Sequence, residues 1–209
     1  GHQVAVVTGA AGGLGAETAR ALASRGATVT LAVRNVAKGE EVAQTIREST
    51  GSEIDVVALE LDSPPSVRAC AEAWLSRHGV LNLLINNAGV MACPLARTGE
   101  GWEIQFATNH LGHFLLTMSL LPALRDGAPA RIVNLSSGAH RFGGIDFDDI
   151  HFDDREYNKF AAYGQSKTAN ILFAVELGCR LAGSGVAINA VHPGVIMTGL
   201  SRHLDEAAY

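Results

Sequence analysis

Short, unbroken apolar runs alternate along the chain with longer segments of helical periodicity. The first run, Val4-Ala5-Val6-Val7, is rich in β-branched residues and predicts a buried strand. The Ala-rich segment 14–24 then places apolar residues at helical spacing, and Gly26 suits a C-terminal cap. The same alternation predicts strands at 4–7, 28–33, 54–61, 81–86, 131–136 and 186–192, with helices at 14–24, 36–48, 66–77, 101–121 and 162–182.

Continuous apolar strands that alternate with helices are typical of a parallel sheet covered on both faces. No linker or change of composition divides the sequence, so residues 1–209 are predicted to form a single domain. The predicted fold class is α/β, a doubly wound parallel sheet of the Rossmann type. Segment 138–160 is rich in Gly, Asp and Phe and has no period, which predicts an insertion loop over one end of the sheet.

Composition narrows the classes of function. With 47% hydrophobic and 18% charged residues the chain is an ordinary globular protein, and its net charge of −5 argues against a nucleic-acid partner. Three scattered cysteines, Cys70, Cys93 and Cys179, favour reduced thiols and a cytoplasmic location. No apolar run reaches about 18 residues, so no membrane span is evident, and no CxxC pair indicates zinc.

A glycine-rich segment, Thr8-Gly9-Ala10-Ala11-Gly12-Gly13-Leu14-Gly15, joins the first strand to the first helix. Glycines allow a sharp turn and a close approach to a pyrophosphate, which the positive N-terminus of the helix attracts. We therefore expect a dinucleotide here; a turn without a ligand is the alternative. The residues predicted to contact the cofactor are Gly9, Gly13, Leu14 and Gly15.

The end of the second strand indicates which nicotinamide cofactor is used. An NAD-selective site needs a carboxylate at this point to bind the ribose hydroxyls. The sequence has Val33-Arg34-Asn35 instead, and a guanidinium can bind the 2′-phosphate of NADP with two hydrogen bonds. Arg34 therefore predicts NADP(H); the alternative is an arginine that is merely solvated.

Tyr163 and Lys167 begin the last predicted helix in a YxxxK pattern. Residues four apart lie on one helix face, so the phenol and the ammonium can share a pocket. A tyrosine of ordinary pKa, about 10, exchanges protons poorly near neutral pH. A nearby ammonium favours the phenolate. The pattern therefore predicts that Tyr163 transfers a proton and that Lys167 lowers its pKa.

In their order along the chain these motifs resemble the short-chain dehydrogenase/reductase family, and most closely its retinol-dehydrogenase-like branch. The likeness rests on three motifs: TGxxxGxG at 8–15, Asn86-Asn87-Ala88-Gly89, and YxxxK at 163–167. It also rests on the sequences of segments 109–117 and 166–173 and on the long insertion before Tyr163. Relatives continue past Thr198 with a substrate-covering loop, a helix and a strand, so the C-terminal part is expected to be missing. Because the chain begins at Gly1 and not at Met, an upstream anchor stays open.

The resemblance implies roles for further residues. Ser137 would orient the substrate oxygen. Ser136 is the alternative for this role, because adjacent residues of a strand face opposite ways and only one of the two serines can face the site. Asn109 would hold a water that links Lys167 to solvent. Lys167 would also bind the nicotinamide ribose, and Asp62 the adenine amino group, unless Asp62 is only a turn or helix-capping residue. The remaining implied cofactor contacts are Asn87, Ala88, Gly89, Pro193, Gly194, Val195 and Thr198.

The function expected is hydride transfer between the nicotinamide of NADP(H) and an aldehyde, ketone or alcohol, with reduction as the usual direction. Two alternatives stay open: an idle NADPH-binding sensor, and a methyltransferase on a similar sheet. Family likeness implies a homodimer or homotetramer through the helices at 101–121 and 162–182, using apolar residues such as Leu172, Phe173 and Leu177. His110 and His113 are expected to pack within a helix and to bind no metal. The acids of the insertion are expected to be solvated: Asp146, Asp148, Asp149, Asp153 and Asp154.

Overall fold

The computed structural model describes residues 3–194, and their six strands form one parallel sheet. The order is β3-β2-β1-β4-β5-β6, and every neighbouring pair is parallel. This is the predicted doubly wound arrangement, in which the direction of winding reverses between β1 and β4. The strands are β1 (Val4–Thr8), β2 (Thr28–Val33), β3 (Ile54–Ala58), β4 (Leu83–Asn86), β5 (Ala130–Leu135) and β6 (Val186–Val191).

Helices cover both faces of the sheet. Because successive strand residues face opposite ways, Val6 of β1 packs on one side while Ala5 and Val7 pack on the other. Residues of α1 and α2 fill the core on the Val7 side, and residues of α3, α5 and α6 fill it on the Val6 side. The helices are α1 (Gly13–Ala23), α2 (Val36–Thr50), α3 (Pro64–Leu75), α4 (Ile104–Phe106), α5 (Gly112–Asp126) and α6 (Lys159–Arg180).

Two predicted elements differ from the observed ones. The third strand was expected to reach residue 61 but ends at Ala58, because its last pairing partner, Val33, is also the end of β2. The helix expected at 101–121 is α4, a π-helical turn at Ala107–Leu111 and α5 in succession. Between residues 3 and 194, no helix is both long and apolar enough to cross a membrane.

The insertion after β5 is organised around Arg155, and the prediction of a solvated acidic loop is wrong for part of it. The guanidinium pairs with Asp146 and Asp149, each at 3.4 Å, and lies 3.8 Å from the centre of the Phe152 ring. Asp153 pairs with Arg97 at 2.9 Å. The acids therefore fix the insertion to itself and to the segment before α4.

Candidate active site

The glycine-rich turn packs tightly against the end of β4. Gly9 has a φ of +67°, and a Cβ added there would lie 2.8 Å from Cα of Ala88. A Cβ on Gly15 would lie 2.6 Å from Nδ2 of Asn87. Gly13 has a φ of +55°, in the left-handed region that glycine tolerates. Side chains are therefore excluded where the turn, α1 and β4 meet.

The N-terminus of α1 is open to an anion. Gly12 occupies the N-cap position without a capping side chain, and the first turn holds no acidic residue. Gly12 and Gly13 are exposed and Leu14 is half-buried. The first backbone N–H groups of a helix have no partner within it. These features fit a pyrophosphate bound as the sequence predicts.

Side chains tie the end of β1 to the motif that follows β4. Oγ1 of Thr8 accepts hydrogen bonds from the backbone N–H groups of Asn87 and Ala88, both at 2.9 Å. Nδ2 of Asn87 donates to the carbonyl of Thr8 at 2.8 Å. Asn87 was predicted to line the cofactor cleft, and in the structure its amide also holds the cleft's two strands together. Ala88 and Gly89 follow it, half-buried at the sheet edge.

Arg34 lies where the sequence places it, directly after β2, and its side chain is exposed. Within residues 3–194 it forms neither a hydrogen bond nor an ion pair, so it is free to bind a phosphate. Val33 is buried against Gly39 of α2. Lys38, exposed in the first turn of α2, is a second cation that the sequence reasoning missed.

Asp62 lies in the turn after β3 and is half-buried. The prediction that it ends the third strand is wrong, since β3 stops four residues earlier at Ala58. The capping alternative is also excluded, because Ser63 occupies the N-cap of α3 and accepts a hydrogen bond from the N–H of Ser66. The adenine contact implied for Asp62 stays a prediction.

Tyr163 and Lys167 lie one turn apart on α6, and each is 4% exposed. Ser137 lies near the Tyr163 phenol and acts to lower its pKa, while Oγ of Ser137 accepts from the N–H of Ala139 at 3.2 Å. Ser136 instead is buried and donates from Oγ to the carbonyl of Lys167 at 3.0 Å. Ser136 is thus engaged with the backbone of α6, and the catalytic role of Ser137 stays a prediction.

The expected lowering of the Tyr163 pKa by Lys167 is not found. Burial raises the pKa of the Tyr163 phenol, and the nearby Ser137 only partly opposes it. Burial also lowers the pKa of Lys167 to about 8, while its Nζ donates to the carbonyl of Leu135 at 3.0 Å. Nζ lies 5.5 Å from the centre of the Tyr163 ring. Burial favours the neutral form of each group, although with a pKa of about 8 Lys167 is still mostly protonated at neutral pH.

Asn109 lies in the π-helical turn, a feature frequent at functional sites. Its Oδ1 accepts from the N–H of Val90 at 2.8 Å, and its Nδ2 donates to the carbonyl of Val90 and to Oγ of Ser166, both at 2.9 Å. Both hydrogens of Nδ2 are therefore used, but Oδ1 keeps one lone pair, so the predicted water contact of Asn109 stays a prediction. A water relay would use this lone pair or the backbone carbonyl of Asn109.

Asn109, Gly89 and Lys167 meet at one place. A Cβ on Gly89 would lie 3.1 Å from Oδ1 of Asn109 and 3.7 Å from Nζ of Lys167. The predicted cofactor motif and the predicted catalytic residues are therefore adjacent. Pro193 and Gly194 follow β6, both exposed, and Gly194 has a φ of +90°. Val195 and Thr198 lie outside the described residues.

A buried polar cluster that the sequence reasoning missed holds α4 to the insertion. The carboxylate of Glu103, fully buried, accepts from the backbone N–H groups of Gln105 and Phe106 and from the hydroxyl of Tyr157. Burial raises the pKa of Glu103, although these bonds oppose it. An acid just before a helix is the signal that could have revealed this cap.

The chain belongs to the short-chain dehydrogenase family. The family's model, described as short chain dehydrogenase, matches residues 3–149 and 151–208. Retinol dehydrogenase 12 of Homo sapiens is 52% identical over 202 residues, which are 96% of this chain and 64% of that protein. Retinol dehydrogenase 13 of Homo sapiens is 50% identical over 199 residues, 95% of this chain and 60% of that protein. These relatives confirm the likeness to the retinol-dehydrogenase-like branch, and the chain spans less than two thirds of their length.

Solved structures agree with this assignment. A protein of uncharacterized function from Mycobacterium paratuberculosis is 45% identical with a TM-score of 0.82, and the match covers 96% of this chain and 71% of that one. A metagenomic short-chain oxidoreductase in complex with NADP is 31% identical with a TM-score of 0.76, covering 92% of this chain and 82% of that one.

Proposed function

We propose that this protein is an NADP(H)-dependent oxidoreductase that interconverts a carbonyl group and an alcohol. The observation that carries the proposal is the convergence of Ser137, Tyr163 and Lys167 beside Gly89, at the carboxyl end of the parallel sheet. Ligands of doubly wound sheets bind at this edge, where the winding reverses. The complex of a related short-chain oxidoreductase with NADP supports the choice of cofactor.

The residues present fit such a cofactor. The turn around Gly9 and Gly13 and the uncapped start of α1 would hold the pyrophosphate, and Arg34 would hold the 2′-phosphate. When bound, the nicotinamide would supply or accept the hydride. Lys167, beside Gly89, would bind the nicotinamide ribose.

Tyr163 acts in this proposal as the general acid in reduction and as the base in oxidation. Its neighbour Ser137 donates a hydrogen bond to the substrate oxygen and so stabilises the charge that develops there. At a pKa of about 8 the Lys167 ammonium is mostly protonated at neutral pH, so it can return a proton to the site. Burial of the phenol keeps Tyr163 protonated at neutral pH, which is the form that donates a proton to the oxygen of an aldehyde or ketone.

A substrate panel tests the proposal directly. The purified protein is mixed with NADPH or NADH and a series of aldehydes and ketones, and loss of the reduced nucleotide is followed by absorbance. We expect consumption with NADPH that depends on the carbonyl compound. Tight NADPH binding without consumption by any substrate would favour the alternative of a nucleotide sensor.

We further propose a homodimer or homotetramer. Phe114 and Met118 on α5 and Leu172 and Val175 on α6 are apolar and at least 40% exposed. Leu177, which the sequence suggested for this contact, is only 5% exposed and belongs to the core. The proposed contact face is therefore Phe114, Met118, Leu172 and Val175.

A further inference from the structure

His113 is fully enclosed between the glycine-rich turn and the π-helical turn. It lies in the first turn of α5 and is 2% exposed. Its Nε2 is 2.8 Å from Oγ1 of Thr8, and its Nδ1 is 3.0 Å from the backbone carbonyl of Asn109. The imidazole thus contacts the first residue of the cofactor turn and a predicted catalytic residue at once.

The direction of both hydrogen bonds follows from their partners. The carbonyl of Asn109 can only accept, so Nδ1 of His113 carries the proton and donates it. Burial lowers the pKa of His113 to about 4, aided by the charges of Lys167 and His110, so the ring is neutral at pH 7. Nε2 is then an acceptor, and the hydroxyl of Thr8 donates to it.

This arrangement satisfies the Thr8 hydroxyl completely. It has one hydrogen and two lone pairs. The hydrogen goes to His113 at 2.8 Å, because the alternative acceptor, the carbonyl of Ile85, is 3.4 Å away. The lone pairs receive the N–H groups of Asn87 and Ala88. A change at His113 therefore reaches the junction of β1 and β4 as well as Asn109.

We propose that His113 is a positioning residue that fixes the cofactor turn through Thr8 and the Asn109 carbonyl through its other ring nitrogen. The proposal rests on the proposed function for its kinetic consequences. The Thr8 bond holds the edge where the nucleotide would bind. The Asn109 bond holds the backbone carbonyl, one of the two acceptors that a proton relay to Lys167 would use.

Two amide substitutions separate the two bonds. In His113→Asn the short amide places its NH₂ near the position of Nδ1, so the bond to Asn109 survives and the bond to Thr8 is lost. In His113→Gln the longer amide reaches the position of Nε2, so its oxygen can accept from Thr8 while the bond to Asn109 is lost. Circular dichroism and thermal unfolding establish that each variant is folded.

The expected results are opposite for the two variants. His113→Asn should weaken NADP⁺ binding about tenfold, the size of one hydrogen bond, and leave kcat within about threefold. His113→Gln should keep NADP⁺ binding within about threefold, lower kcat about tenfold and shift the pH profile of kcat. If NADP⁺ affinity and kcat fall equally in both folded variants, or change in neither, His113 only packs and the proposal is overturned.

The measurement of NADP⁺ binding tests this proposal separately from the proposed function. NADP⁺ binding is measured by titration calorimetry and needs no turnover. If the unmodified protein turns over no carbonyl substrate, the proposed function fails, yet weaker NADP⁺ binding by His113→Asn than by His113→Gln would still support the positioning role. Equal NADP⁺ affinities of the two variants would overturn that role in either case.

Discussion

Ser136 and Ser137 differ by one position along the chain, and at the scale of the residue that position decides their environment. Ser136 donates to the backbone of α6, whereas Ser137 meets Tyr163. Tyr163 itself is a buried phenol whose pKa is raised by that burial. In this environment it holds its proton at neutral pH, so its value in the proposed reaction is as a donor to the substrate oxygen.

Tyr163→Phe should abolish this donation while it preserves the packing of the ring. We expect kcat for carbonyl reduction to fall about 100-fold or more, the usual cost of losing general acid catalysis. NADPH affinity, measured by titration calorimetry, should change little because the phosphate contacts are untouched.

Tyr157→Phe is the matched control, since it also removes a phenol hydroxyl, but one that donates to the carbonyl of Cys93 and to Glu103. Its kcat should stay within a few-fold of the unmodified enzyme. A Tyr163→Phe enzyme that kept more than about a tenth of its kcat would contradict the assignment of Tyr163 as the general acid.

Arg34→Leu tests the cofactor preference. Loss of a charged partner for the 2′-phosphate should raise KM for NADPH about tenfold or more and leave KM for NADH nearly constant. Arg25→Leu removes the same charge from an exposed residue just after the C-terminus of α1, away from the glycine-rich turn, and should change neither constant. Equal kcat/KM for NADPH and NADH in the unmodified protein would contradict the preference.

At the scale of the element, the start of α1 depends on how closely its backbone approaches the glycine-rich turn and the segment after β4. Gly15 lies in the first turn of α1, directly against Asn87 and the carbonyl of Gly9. Gly12, three residues earlier, has no atom within 4 Å of an added Cβ. The two glycines of this motif therefore serve different purposes: Gly15 allows close packing, and Gly12 leaves the N-terminus of α1 open to an anion.

Gly15→Ala should force α1 away from β4, because its Cβ would lie 2.6 Å from Nδ2 of Asn87 and 2.8 Å from the carbonyl oxygen of Gly9. We expect a loss of unfolding free energy of about 1–3 kcal/mol, typical of overpacking, together with weaker NADP⁺ binding. Gly12→Ala is the control and should leave the unfolding free energy nearly constant. Urea unfolding measures both, and equal stability of the two variants would contradict this account of the turn.

At the scale of the whole molecule, acid should weaken the fold through His113. Its pKa is about 4 in the folded protein and near 6.5 in the unfolded chain. Between these values the unfolded chain binds the proton and the folded protein does not, so stability falls as pH falls from 6.5 toward 4. The loss attributable to His113 should approach about 3 kcal/mol.

Urea unfolding at pH 7 and at pH 4.5 measures this effect. His113→Gln cannot titrate, so its unfolding free energy should depend less on pH than that of the unmodified protein, by about 2–3 kcal/mol across this interval. The same pH dependence in both proteins would show that His113 is not the group responsible.

Assembly also belongs to this scale. Light scattering at micromolar concentration should give the mass of a dimer or tetramer, and Leu172→Glu should reduce it, because a charge within the proposed contact of α5 and α6 opposes burial. Glu176→Gln, an exposed substitution next to that face, should keep the assembled mass. A monomer mass for the unmodified protein would contradict the proposal.

Local pattern determined most of the fold. Strands buried on both faces must be apolar throughout, and helices need one apolar stripe, so the order of elements and the parallel sheet could be predicted from periodicity alone. The motifs also placed Tyr163 and Lys167 on one helix face, since a spacing of four residues is a property of the helix itself. The ends of elements were harder to predict. For example, β3 ends where its pairing partner β2 ends, and this pairing joins residues that are distant in sequence.

Only the tertiary structure decided which distant groups share an environment. His113 was expected to pack within a helix, yet it contacts Thr8, 105 residues earlier in the sequence, as well as the carbonyl of Asn109. Arg155 pairs with Asp146 and Asp149 of the insertion. Burial sets the pKa of Lys167 and opposes the expected effect on Tyr163. Hydrogen bonds and desolvation depend on what surrounds a group in space, and the sequence specifies those surroundings only once the chain has folded.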